Sequence, residues 1–143
     1  NNGDNRQGFK RDNRTNFFSN SPGSMATSLG LFVTEDTYVG GNGYSLRLRG
    51  LEEGVNDMAR DRAIVMHGAS YVSRAAIAAL GRLGRSWGCP AVRKEVAKKI
   101  INTVRGGSAV FAYYPEKSWL SSSEFFRRKP KAVVADQAGT PGS

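Results

Sequence analysis

Cysteine and histidine are nearly absent from the chain, which has only Cys89 and His67 among 143 residues. One thiol excludes an internal disulfide framework, and one thiol with one imidazole supplies too few ligands for a common zinc site. Apolar runs are all shorter than the ~18 residues that a membrane span requires. The opening residues are neither basic nor apolar, so we expect a mature or trimmed form without a signal peptide. We expect no metal, no other cofactor and no membrane span.

Acidic residues are also scarce. The chain has 12 Asp and Glu residues and 21 Lys and Arg residues, which gives a net charge of +9. This excess predicts an anionic partner, and nucleic acid, anionic lipid and cell-wall polymer all qualify. The sequence has no helix-turn-helix, zinc-finger spacing or aromatic RNA-binding signature, which argues against nucleic acid. A non-enzymatic basic module that binds wall polymer or nucleic acid remains an alternative.

The length and composition predict one domain with polar ends. A chain of 143 residues can bury a real core, and 39% apolar residues with 17 glycines favour a β-rich or loop-rich domain. We place a polar arm at residues 1–24, the folded domain at 25–126, and a basic, then flexible tail at 127–143. The predicted fold class is mixed α+β and β-rich, with a small sheet and one clear helix after the cysteine.

Alternation of apolar and polar residues predicts the strands. Tyr44 to Arg49 alternates cleanly and follows a glycine-rich turn at residues 39–43. The short apolar run Ala63–Met66 reads as a buried strand that ends at His67. Two further strands are predicted at Ala26–Thr34 and Ala109–Tyr114.

Three helices are predicted from capping and periodicity. Ser73 is a candidate N-cap for a helix over Arg74–Leu80. Residues Arg93–Val104 form the clearest amphipathic pattern, and Gly106-Gly107 ends it. Ser118 is a candidate cap for a short helix that reaches Phe126.

The single thiol and the single imidazole suggest a nucleophile–base pair. The thiolate is the reactive form of cysteine, and a neighbouring imidazole commonly generates it. Gly88 allows a tight turn before Cys89, and the positive end of the Arg93–Val104 helix dipole should favour the thiolate. The amides of Gly88 and Cys89 are candidate oxyanion donors. The alternatives are a buried structural thiol and a core histidine bonded to a backbone carbonyl.

At these residues the sequence resembles a known enzyme family. His67-Gly68 followed by Ser86-Trp87-Gly88-Cys89 is similar to the HG…[ST]-x-G-C signature of the L,D-transpeptidase catalytic domain, in the YkuD-like superfamily. Pro90 places the chain with the branch that has Cys-Pro after the glycine. The resemblance covers about residues 22–115. It implies a small sheet or sandwich of this family's type and a bacterial, exported enzyme, periplasmic or wall-associated, that acts on peptidoglycan stem peptides.

The resemblance also implies roles for the motif residues. Cys89 would attack the carbonyl that precedes the terminal D-amino acid of a tetrapeptide stem, and His67 would move the proton. The carbonyl of Gly68 would orient His67, and the amides of Trp87, Gly88 and Cys89 would hold the oxyanion. An acceptor amine would give a 3→3 cross-link or attach a protein to the wall. Water as acceptor would make the protein a carboxypeptidase or endopeptidase.

Two departures from the family pattern concern substrate binding. Trp87 stands where many members have histidine, and Pro90-Ala91 stands where many have Ile-Arg. Arg82 and Arg85 are therefore candidates to bind the stem-peptide carboxylates, although a solvated basic loop would also account for them.

Two aromatic residues, Tyr44 and Tyr71, are candidate walls of the substrate pocket. Packing in the core is the alternative role for each of them.

Overall fold

The computed structural model describes residues 17–127. The predicted polar arm therefore lies largely outside the described residues, as does nearly all of the predicted tail. The elements are five strands, a one-turn 3-10 helix at Asp57–Ala59 and four α-helices. The strands are β1 Gly30–Gly40, β2 Gly43–Gly50, β3 Val65–Ala69, β4 Ala91–Arg93 and β5 Ala109–Ala112; the α-helices are α1 Arg74–Leu80, α2 Lys94–Val104, α3 Lys117–Ser122 and α4 Glu124–Arg127. The predicted mixed α+β class is confirmed.

All five strands form one sheet in the order β4-β3-β2-β1-β5. Strands β1 and β2 form an antiparallel hairpin that closes at Gly40 and Gly43, as the glycine-rich turn predicts. Strand β3 is antiparallel to β2 and parallel to β4, with His67 opposite Ala91. Parallel neighbours need a crossover connection, and α1 lies within it.

The first strand differs from the prediction of Ala26–Thr34, since it runs from Gly30 to Gly40. Gly30 has a φ of +101°, and a Cβ there would lie 2.5 Å from Glu52 Oε1. The strand therefore begins at a position where both the positive φ and the close contact require glycine. Its second half is polar, and its register shifts between Thr34 and Thr37, so simple alternation does not reveal it.

Helix α2 packs on one face of the sheet. Ile101 contacts Leu46 and Met66 in one buried cluster, and a second cluster contains Phe32, Leu48, Ala59 and Ile64. Leu46 and Leu48 lie on the same side of β2, as its alternation predicts. The helix begins at Lys94, one residue later than expected, with Arg93 as N-cap.

Helix α1 agrees with its prediction at both ends. The Ser73 hydroxyl accepts a hydrogen bond from Ala76 N at 3.1 Å, and Gly81 ends the helix with a φ of +67°. No residue of α1 is buried. The predicted helix from Ser118 to Phe126 is instead the two short helices α3 and α4, because Ser123 between them has extended backbone. Within residues 17–127, no helix combines the length and apolar character that a membrane crossing requires.

Candidate active site

His67 lies on β3 and is only 4% exposed. It is the third residue of the strand, whereas the sequence placed it where the chain leaves the sheet. Its neighbours across the sheet are Ser45 on β2 and Ala91 on β4, and its backbone N–H donates to Pro90 O at 3.2 Å. The ring therefore projects from β3, an interior strand of the sheet, and the neighbouring strands β2 and β4 fix the backbone of His67.

One ring nitrogen of His67 contacts a carbonyl oxygen. Nδ1 lies 3.1 Å from Gly68 O, the group that the family resemblance implies as orienter. A carbonyl oxygen can only accept a hydrogen bond, so Nδ1 carries the proton in this contact. The neutral ring then keeps a lone pair on Nε2, which is the arrangement that a general base requires. Gly68 itself faces α2, because a Cβ there would lie 2.8 Å from Ala97 Cβ.

Cys89 lies two residues before β4, the strand that pairs with β3. Its thiol donates a long hydrogen bond of 3.6 Å to Ala63 O, and its side chain packs beside the cluster that contains Ile64. Strand β4 separates Cys89 from α2, so the thiol does not stand directly at the helix N-terminus as the sequence suggested. In the part of the chain that the structure describes, no hydrogen bond joins the thiol to the imidazole. Such bonds are often long in unliganded sites and shorten in the substrate complex.

Burial dominates the electrostatics of the thiol. It raises the pKa of Cys89, while a backbone hydrogen bond from Val65 and the positive charge of Arg62 lower it by less. The net direction is upward, against the expectation of a helix-stabilised thiolate, because desolvation disfavours the charged form.

The loop before Cys89 is held in a fixed shape. The Ser86 hydroxyl donates to Cys89 O at 2.6 Å, which closes the loop on itself. Gly88 has a φ of +95°, and a Cβ there would lie 2.5 Å from Ala26 O. The side chain of Trp87 is 71% exposed, so its indole has little part in this packing.

A cavity of about 340 Å³ opens beside His67. It is lined by the β1–β2 turn, by Gly68 to Tyr71, and by Lys94 at the start of α2. Burial raises the pKa of Tyr71, and the nearby Cys89 raises it further, which places this phenol close to the thiol. The residues that line the cavity thus include His67, Tyr71 and Lys94. Among residues 17–127, no group of three or more His, Cys, Asp or Glu side chains is placed to hold a metal ion.

The comparison with family models gives a match over residues 4–113, to the L,D-transpeptidase catalytic domain. The chain belongs to this family. No curated protein and no solved structure is similar enough to the chain to count as a match. The match confirms the family that the His-Gly and Ser-Trp-Gly-Cys motifs indicate, and it begins earlier than the resemblance at about residue 22.

The residues that we expected to bind substrate in this L,D-transpeptidase domain lie in different surroundings. Tyr71 lines the His67 cavity and packs against Gly84, where a Cβ would lie 2.3 Å from Tyr71 Cβ. The Tyr44 hydroxyl donates to Asn102 Oδ1 on α2 at 2.6 Å, and its ring packs beside the Ile101 cluster.

The two arginines of the loop before Cys89 are both partly buried. Arg82 donates a hydrogen bond from Nη1 to the backbone carbonyl of Leu83 at 3.0 Å. Neither Arg82 nor Arg85 lines the cavity beside His67. Their binding of stem-peptide carboxylates therefore stays a prediction.

Sequence reasoning missed two cations of this L,D-transpeptidase domain. Lys94 lines the His67 cavity, and Arg62 lies close enough to Cys89 to lower the pKa of its thiol. Lys94 is one of several lysines on an amphipathic helix, and its sequence context does not distinguish it from the others. Arg62 belongs to no motif, and its hydrogen-bond partners are 34 to 43 residues away in sequence.

Proposed function

We propose that this domain is an acyltransferase that acts on peptidoglycan stem peptides, with Cys89 as nucleophile and His67 as general base. The observation that carries the proposal is the parallel pairing of β3 with β4. It places His67 opposite Ala91, two residues after Cys89, while the Gly68 carbonyl binds the Nδ1 proton of the imidazole. The proposed base therefore lies on β3 and the proposed nucleophile lies two residues before the neighbouring strand β4, with Nε2 of His67 left to take the thiol proton.

The first half of the reaction forms a thioester. Sγ of Cys89 attacks the carbonyl carbon that precedes the terminal D-amino acid, while Nε2 of His67 takes the thiol proton. The C–N bond then breaks, and the imidazolium returns that proton to the leaving amine. The amides of Trp87, Gly88 and Cys89 are the proposed donors to the oxyanion, since the left-handed turn at Gly88 fixes this stretch of backbone.

The second half of the reaction resolves the thioester with an acceptor. His67 removes a proton from the acceptor amine, which attacks the thioester carbonyl and releases the Cys89 thiol. Two cavities border β3: the one beside His67, and one of about 240 Å³ whose lining includes Ala63 and Val65, the two residues that hydrogen-bond Cys89. Two separate depressions beside β3 suit a transfer between two substrates, which favours an amine acceptor over water.

Lys94 is the proposed anchor for a substrate carboxylate. The two arginines of β2 and Arg60 are already paired, because Arg49 and Arg60 contact Glu35 and Arg47 contacts Asp36. Lys94 has no ion pair among the residues that the structure describes, and it lines the cavity that contains His67. A stem peptide offers carboxylates to such a cation, which suits a domain whose net charge is +9.

The test is mass spectrometry of products from a disaccharide-tetrapeptide substrate, with wild type, Cys89→Ala and His67→Gln. We expect wild type to form 3→3 cross-linked dimers, Cys89→Ala to form none, and His67→Gln to be slower by about 10²–10⁴. A carbapenem should acylate the intact wild-type protein once, at Cys89. Since Cys89 is the sole thiol, Cys89→Ala should stay at its unmodified mass.

The matched control is Ser70→Ala, which changes an exposed side chain of the same cavity and should keep both activities. Undiminished turnover by folded Cys89→Ala would overturn the proposal. Shortened stems without dimers would identify water as the acceptor and make the protein a carboxypeptidase or endopeptidase. Such a substrate places the protein outside the cytoplasm, in the periplasm or at the wall, which fractionation of the native protein would test.

A further inference from the structure

Arg62 binds one segment of the chain with all four terminal N–H groups of its guanidinium. Nη1 donates to Ser19 O and Ser28 Oγ, each at 2.7 Å. Nη2 donates to Ser24 Oγ at 3.1 Å and to Ala26 O at 2.6 Å. All four acceptors lie within residues 19–28, and none of them is a carboxylate. The segment is therefore fixed by a cation whose charge these contacts do not neutralise.

The same segment packs against the loop that presents Cys89. Ala26 is fully buried, and Arg62 binds its carbonyl oxygen. A Cβ on Gly88 would lie only 2.5 Å from that oxygen. On its other side Arg62 precedes Ala63, whose carbonyl accepts the Cys89 thiol hydrogen bond. Arg62 is thus adjacent in sequence to Ala63, which contacts the Cys89 thiol, and it is hydrogen-bonded to Ala26, which packs against the loop before Cys89.

Backbone strain marks the same network independently. Among residues 17–127, only Met25 and Ala63 are non-glycine residues with positive φ, each at +53°. One precedes Ala26 and the other follows Arg62. Such conformations cost free energy and persist where the surroundings impose them, most often at functional sites. Both strained residues therefore lie where Arg62 joins the segment to the thiol.

We infer that Arg62 is a positioning residue that holds segment 19–28 against the Cys89 loop and keeps a fixed positive charge beside the thiol. The inference rests on the proposed acyltransferase function. The titratable groups that interact with Cys89 are Arg62 and Tyr71, and His67 lies on β3 opposite Ala91. Of these, only Arg62 is positively charged at all working pH values, because a guanidinium does not lose its proton in proteins. It partly offsets the burial that raises the pKa of Cys89.

The experiment measures alkylation of the only thiol by iodoacetamide as a function of pH, together with the rate of carbapenem acylation. In Arg62→Gln we expect the midpoint of the pH profile to move upward and alkylation at neutral pH to slow roughly tenfold. Arg62→Lys keeps the charge but cannot bind four acceptors, so its midpoint should stay near wild type while acylation slows several-fold. Arg49→Gln removes the same charge from an exposed arginine paired with Glu35 and should match wild type.

The inference would be overturned if the alkylation midpoint of folded Arg62→Gln equalled that of wild type. Equal alkylation midpoints in Arg62→Gln and Arg62→Lys would also overturn it. If Arg62→Gln does not fold, the test rests on Arg62→Lys. An upward shift of its alkylation midpoint, or an acylation rate equal to that of wild type, would overturn the inference. Failure of the proposed function is distinguishable, because wild type would then show no acylation by carbapenem or substrate. The alkylation profiles would still report the coupling of Arg62 to Cys89.

Discussion

The indole of Trp119 donates a hydrogen bond of 3.2 Å to the buried carboxylate of Glu52, across 67 residues of sequence. The other carboxylate oxygen accepts from Leu31 N at 2.9 Å, and the Glu52 backbone N–H donates to Asn56 Oδ1. Glu52 is thus satisfied by neutral donors alone, and it ties α3 to the first residues of β1. Together with the ring contact between Trp119 and Phe111 of β5, this hydrogen bond holds α3 on the domain.

Trp119→Phe should keep the aromatic packing and remove that hydrogen bond. We expect the free energy of unfolding to fall by about 1–3 kcal/mol, because a buried charged acceptor loses a donor. Urea denaturation measures this, and Phe125→Leu, a change of a partly exposed ring on α4, is the control. Equal stabilities for wild type and Trp119→Phe would contradict the role assigned to the Glu52 contact.

Gly88→Ala should impair both stability and acylation. The alanine must adopt a φ of +95° and place its Cβ 2.5 Å from Ala26 O, so the Cys89 loop has to shift. Gly54→Ala is the matched control, because Gly54 also has a positive φ, +72°, but no atom within 4 Å of its Cβ position. We expect about 1 kcal/mol of destabilisation and full acylation from Gly54→Ala. A larger loss and slow acylation are expected from Gly88→Ala; similar behaviour of the two would refute the close approach.

The raised pKa of Cys89 predicts a stability difference at alkaline pH. The native thiol keeps its proton above the pKa of the unfolded thiol, so the folded state binds more protons there. Its contribution is therefore complete below the unfolded pKa and is lost as pH rises through the folded pKa. Urea denaturation from pH 7 to pH 10 should show wild type losing more stability than Cys89→Ala, which also lacks the contribution of Cys89 to the raised pKa of Tyr71. Parallel curves would contradict the upward direction.

Lys94→Gln should weaken substrate binding with little effect on turnover. We expect KM for the tetrapeptide substrate to rise roughly two- to fivefold, since the lysine is exposed and its ion pair is screened. Carbapenem acylation and thiol alkylation should be unchanged. Lys98→Gln, on the exposed side of the same helix, is the control. An equal rise of KM in both variants would mean that the lysines act through net charge alone.

Local signals in the sequence predicted the elements whose ends depend on nearby residues. Ser73 and Gly81 bound α1 as expected, and the glycine-rich turn gives the hairpin. Strand β4 was not predicted, because three residues after a proline carry no periodicity. Its existence depends on pairing with β3, which is distant in sequence.

The candidate site was predicted only as far as its motifs reach. The His-Gly and Ser-Trp-Gly-Cys motifs identified Cys89, His67 and the Gly68 carbonyl as candidates, and the structure gives the Nδ1 contact of 3.1 Å to that carbonyl. Arg62 could not be found in this way. Its acceptors are two hydroxyls and two backbone carbonyls of a remote segment, and no residue type in the sequence specifies such acceptors.

The crossover between His67 and Cys89 leaves room for the domain to vary. His67 lies on β3 and Cys89 lies two residues before the parallel strand β4, while α1 between them buries no side chain. The length of that helix is therefore decoupled from the reacting groups. Lengthening this seven-residue helix would alter the outer surface of the molecule and leave both strands in place, which makes α1 the natural point of insertion for divergence or for engineered fusion.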